Sequence, residues 1–187
     1  YVQSADGTVE SLTLDNAVAK IGDTPYKSLA AAVAAVPANN EQTVITLLRS
    51  VTGGGFKTYE GQNVVIDLGG NKFTAGSPTV GSVGTETNGF QFLKGSKITF
   101  RNGSIDIAET LRCAYLFQNY ADLTLDSVNV DISMNRPCEA LVHSMNGKVE
   151  ITGSTDLTAT GTYYWARNDK GDKKVIMVSD WNNSSYG

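Results

Sequence analysis

Two pairs of residues able to do chemistry stand the same distance apart along this chain: Asp106 with Asp131, and Cys113 with Cys138, each 25 positions on. Carboxylates repeated at a fixed spacing can converge on a hard cation, because Ca²⁺ takes many oxygen ligands and tolerates irregular geometry. Asp126 stands close enough in sequence to join them. Asp106, Asp126 and Asp131 are therefore the candidate Ca²⁺ ligands, against a plainer reading as solvated aspartates at a strand end. The cysteines admit three readings: a disulfide, two stacked thiols packed as small apolar groups, or half of a metal site. Two sulfurs without a neighbouring His or further Cys make a poor zinc site. The only histidine, His143 in "LVHSM", follows an apolar position and reads as an outward residue near a bend. One histidine without partners supports no Ser/His/Asp or Cys/His arrangement, so no catalytic residue is assigned.

Aromatic residues gather late, as Tyr163, Tyr164 and Trp165 in "TYYWARNDKGDKK" and Trp181 in "DWNNSSYG". Their ring faces can stack on the apolar side of pyranose rings while Asn and Asp reach the hydroxyls. The competing reading is an aromatic cap that seals apolar surface at one end of the fold. A Gly/Ser/Thr-rich stretch at 76–89 reads as a protruding loop, and its Glu86 and Asn88 form a second contact surface. "GGG" at 53–55 lacks the Lys-Ser/Thr of a phosphate loop and reads as a flexible corner. "NDKGD" at 168–172 lacks the spacing and terminal Glu of a calcium loop and reads as a turn.

These residues need a frame, and the apolar pattern suggests one. "GFQFLKGSKITFRNGSIDI" (89–107) and "AYLFQNYADLTLDSVNVDI" (114–132) superimpose on a shift of 25. Phe90 then lands on Tyr115, Phe92 on Phe117, Ile98 on Leu123, Phe100 on Leu125, Ile105 on Val130 and Ile107 on Ile132. A third copy places Ala140, Val142, Val149 and Ile151 at matching positions, with its bend one residue longer. Going backwards, Ile66, Leu68, Phe73 and Ala75 match at a spacing of 32, and Ile45 and Leu47 precede Ile66 and Leu68 by 21. "KKVIMVSD" reads as a last, incomplete turn. "KITF", "LTLD" and "VEIT" alternate with period two, the mark of strands with one buried face. Repeats of irregular length suit the stacked coils of a parallel β-helix, which tolerates insertions at its corners. An antiparallel sandwich is the competitor, but it has no reason to keep strand, bend and strand in a common register.

Before the repeats, "SLAAAVAAV" offers Ser28 as a helix N-cap, with Leu29, Val33 and Val36 on one face and Pro37 as the stop. So short a helix must lay its apolar stripe on something, and the open end of the first coil is a suitable partner. The expected architecture is all-β, a parallel β-helix of five or six coils. It divides into an N-terminal strand and capping helix (1–40) and the coils with their aromatic-rich cap (41–187).

Composition narrows the function. The net charge of −4 and sequence pI near 4.9 argue against the basic footprint of a nucleic-acid binder. No apolar run is long enough to span a membrane, and "YVQSADGTVE" is not a signal peptide.

The stretch "AVAKIGDTPYKSLAAAVAAVPANNEQTVITLL" resembles the opening segment of right-handed β-helix proteins of the pectate-lyase-like superfamily, especially those in bacterial surface proteins. The resemblance covers 17–51 in motif and 52–180 in repeat style. It implies a right-handed coil, an extracellular or cell-surface location, and a non-catalytic role in adhesion or glycan contact. The partner would be a host or cell-wall glycan or a surface protein, with no nucleic acid, no membrane insertion and no cofactor apart from Ca²⁺. Two alternatives share the fold: a polysaccharide lyase or glycoside hydrolase, and a structural stalk. Lyases of this kind hold Ca²⁺ with carboxylates and abstract a proton with Arg or Lys. Here Arg101 aligns with Asp126 and reads instead as half of a surface ion pair. The hydrolases need an adjacent Asp-Asp and a His in a Gly-His-Gly setting, and this sequence has neither.

Overall fold

Alternating apolar residues pull one face of each segment inward, and β-branched and aromatic types favour extended backbone. In the computed structural model, which describes residues 1–3, 7–133, 138–165 and 169–179, those segments form an all-β fold with one α-helix. The helix, Leu29–Ala34, starts where Ser28 Oγ accepts the Ala31 amide at 3.0 Å. Its Leu29 and Val33, together with Val36, are buried in the common core. Gln62 ties it down by donating its Nε2 to the carbonyls of Val33 and Val36.

Two large sheets share that core, and both are mixed. In the first, Gln42–Leu47, Asn63–Asp67, Lys97–Ile107, Asp122–Asp131 and Lys148–Thr152 pair in parallel, each with the next in that order. Ala19–Ile21 closes its leading edge by pairing antiparallel with Gln42–Leu47. Beyond a corner, the long strands continue into parallel pairs with Lys72–Gly76 and Asp156–Thr158. Asn102 and Ser127 form that corner with left-handed backbone, at φ 59° and 51°. In the second sheet, Lys57–Thr58, Thr85–Phe92, Tyr115–Asn119, Ala140–Met145 and Lys174–Ser179 run parallel. The last of these comes from "KKVIMVSD" and adds one more parallel strand to this sheet.

Register follows the repeat in the first sheet, where Ile98 faces Leu123, Phe100 faces Leu125 and Ile105 faces Val130. The second sheet corrects it: Phe90 faces Phe117, not Tyr115. The bend from Phe92 to Lys97 is two residues longer than the bend from Asn119 to Asp122, so the strands slide by two. A slip of two keeps each side chain on its own face, which is why the core absorbs it. The same effect makes Phe100 face Ile66, because the bend between Asp67 and Lys72 is two residues longer than its successor. Phe73 and Ala75 then meet Ile105 and Ile107 as expected.

Three local expectations also change. Residues 76–89 are not an open loop: Val80–Ser82 pairs antiparallel with Thr85–Phe92. Asp169–Asp172 is a strand paired with Thr162–Trp165, not a turn. "GGG" is no flexible corner, because Gly53 and Gly54 lie in the strand Val51–Gly54 and Gly55 abuts the Gly89 carbonyl. All six phenylalanines are buried, and Phe90 sits among the other five.

Candidate functional site

The three aspartates do not converge. Asp106 and Asp131 are Cα partners on neighbouring strands, but Asp106 Oδ2 lies 2.9 Å from Lys72 Nζ and Asp131 Oδ1 accepts the Ser133 amide at 2.7 Å. Asp126 lies across the Ser127 corner and accepts that residue's hydroxyl at 3.0 Å. Among the described residues, no group of three or more His, Cys, Asp or Glu is placed to hold a metal. Arg101 faces Asp126 in register, yet its ion pair is with Asp67 on the other side, at 3.0 Å. Burial raises the Asp67 carboxyl, but the Gly69 amide, Asn102 and Arg101 outweigh it and leave the group below the ordinary carboxylate value.

Cys113 and Cys138 meet as buried free thiols, with their sulfurs 3.6 Å apart. The hydrogen bond with Cys138, burial, and the neighbouring sulfur's charge push the Cys113 thiol up, against a weaker downward pull from Lys173. Glu86 is occupied in the hairpin turn, where its carboxylate accepts the Gly84 amide at 3.1 Å and its carbonyl accepts the Thr79 hydroxyl. Tyr163, Tyr164 and Trp165 lie on one arm of the late hairpin, and of Tyr164 and Trp165 the backbone alone is described. Trp181 lies outside the described residues.

The second sheet brings together a set of polar side chains that the apolar repeat left aside. Phe90, Phe117 and Val142 point into the core, so the next residues, Gln91, Gln118 and His143, project from the opposite face. These three stand in register with each other and with Met177 across four parallel strands. Gln118 Oε1 accepts from Asn88 Nδ2 at 2.9 Å and from Gln91 Nε2 at 2.7 Å. His143 Nε2 lies 2.5 Å from Ser179 Oγ, and its ring packs edge-on against Tyr115 with centroids 4.2 Å apart.

Among the described residues, three polar atoms in this cluster have no hydrogen-bond partner: the acceptors Asn88 Oδ1 and Gln91 Oε1, and His143 Nδ1. Their residues are only 2%, 2% and 6% exposed. A buried unpaired polar atom costs stability, of the order of 1–3 kcal/mol, so three in one cluster mark a costly place in the fold. The cluster is uncharged, and an aromatic ring lies beside it. It suits hydroxyl or amide N–H groups better than ions.

Burial holds the His143 imidazole below its ordinary pKa of 6.5, so the ring is neutral at neutral pH. The unfolded chain takes up the proton first as pH falls, so the stability this residue contributes is complete above about pH 6.5 and declines below it. The expected result is a urea midpoint that falls between pH 7 and 5 in the parent and less in His143→Gln. As the only histidine, it gives a single imidazole NMR resonance, and titration at or above 6.5 would contradict its burial.

Of this cluster, the sequence reading singled out Asn88 as a ligand contact. The register slip separated Gln91 from Gln118, since a uniform shift of 25 sets Gln91 against Leu116. The usable signal was a polar residue directly after each inward Phe or Val. Comparison with protein-family models, with curated proteins and with solved structures gives no match.

Proposed function

We propose that this chain is a right-handed parallel β-helix domain of the pectate-lyase-like kind, exposed on a bacterial cell surface, that contacts a glycan without cleaving it. The parallel registers, repeated bends and helix packed at the leading end support the coil reading, with the helix as its N-terminal cap. The observation that carries the function is the polar cluster around Gln118. Its partly exposed members, the Tyr115 ring and Gln118, offer an apolar ring face and an amide of the kind that recognise a sugar, while buried Asn88 and Gln91 position Gln118. The partner is a host or cell-wall glycan, or a surface protein that carries one. Binding is favoured over lyase chemistry because Arg101, read from the sequence as an ion-pair residue and not a base, is held by Asp67.

A glycan array, followed by titration with any hit and analysis of the sugar for chain cleavage, tests this. Gln118→Ala is expected to weaken binding at least about tenfold, since it removes the acceptor that orients both neighbouring amides. Intact sugar should accompany that loss, and binding is measured where the variant is still folded, because leaving the Asn88 and Gln91 amides unpaired lowers its unfolding midpoint. Cleaved sugar would support the enzyme reading, and an empty array would support a stalk.

A further inference from the structure

We propose that Cys113 and Cys138 are an oxidation site, whose disulfide ties together the starts of the two strands that carry Tyr115, Gln118 and His143. The two sulfurs already lie 3.6 Å apart. Each cysteine stands two residues before a strand, and those strands pair Tyr115 with Ala140, Phe117 with Val142 and Gln118 with His143. Neighbouring strands run about 4.8 Å apart, within the Cα separations a disulfide accepts, so side-chain rotation brings the sulfurs to bonding distance.

Other uses of the pair fit less well. Both residues are at most 1% exposed, so neither sulfur can meet a substrate as a nucleophile. Among the described residues no third ligand completes a metal site. As thiols they share only one weak S–H contact, whereas the bond closes a loop of 25 residues in the unfolded chain.

The oxidant is a small-molecule disulfide. One cysteine loses its proton, and its thiolate attacks a sulfur of the oxidant, releasing one small thiolate and leaving a mixed disulfide. The second cysteine, also deprotonated, attacks the protein sulfur of that intermediate and releases the other small thiolate. The two protons end on the two released thiols. Two electrons pass from the cysteine sulfurs to the small disulfide, which is reduced. With both sulfurs buried in the fold, exchange takes place while these strands are still separating or assembling. The folded state then protects the bond from reductant.

The experiment refolds the full chain in a mixture of oxidised and reduced glutathione, then titrates thiols in guanidinium. The expected result is no titratable thiol and an intact mass about 2 Da below the reduced chain. Phosphine reduction in denaturant, followed by refolding in phosphine, is expected to lower Tm by roughly 5–10 °C. The double variant C113S/C138S should melt at the reduced value with or without phosphine. Two free thiols in the denatured refolded chain, or glutathione attached to either cysteine, would overturn the proposal. If the double variant does not fold, the thiol titration of the parent decides alone. None of these readouts needs a glycan, so this proposal and the glycan reading can fail independently.

Discussion

Replacing Phe90 with alanine is expected to cost the fold about 3–5 kcal/mol, the range for emptying a large aromatic site in a close-packed core. Phe90 is fully buried and lies where the two sheets meet. Its ring centroid is 5.0 Å from Phe56, 5.3 Å from Phe117, and 5.9 Å from both Phe73 and Phe100. Phe73 and Phe100 belong to the first sheet and Phe117 to the second, so truncation removes contacts to both at once. The strands around the site are hydrogen-bonded on both sides, so the cavity cannot collapse cheaply. Urea unfolding measures the loss, with a fall in Tm of roughly 10 °C alongside it. A loss under about 1 kcal/mol would mean the ring cluster is not the centre of the core.

Gly55→Ala is expected to match or exceed that effect without removing a single contact, at about 3 kcal/mol or more. A Cβ built on Gly55 falls 1.7 Å from the Gly89 carbonyl oxygen and 2.8 Å from its carbon. Both are backbone atoms, so no side chain can turn aside to relieve the clash. The displacement would also strain the bond in which the Gln91 amide donates to the Phe56 carbonyl at 3.1 Å. Gly53→Ala is the control: its Cβ would meet only the Phe73 ring at an ordinary 3.6 Å, and a change within about 1 kcal/mol is expected. Equal stabilities for the two variants would refute the close backbone approach at residue 55.

Several parts of the fold were legible along the chain because they depend on neighbours in sequence. Ser28 and the Leu29–Val33 stripe define the helix through contacts within two turns. Period-two alternation exposes the strands, and the offset that sets Ile98 against Leu123 carries on to Ile105 against Val130 because the segments between them have equal length. A count along the chain cannot say how a bend folds, and pairing depends on that. Two extra residues between Phe92 and Lys97 moved Phe90 opposite Phe117 and put Gln91 beside Gln118. Equal spacing also failed the three aspartates. The Ser127 corner sends Asp126 to a different row from Asp106 and Asp131, where Lys72 and the Ser133 amide already hold those two.

The sequence by itself thus determined an all-β chain with a capped helix, a repeated apolar ladder and two cysteines at a common spacing. Only the tertiary structure decided which polar side chains share a face, because the lengths of the bends set where each strand begins against the next. That is how Asn88, Gln91, Gln118 and His143, unremarkable as a linear pattern, come to share a cluster in which three buried polar atoms find no partner among the described residues.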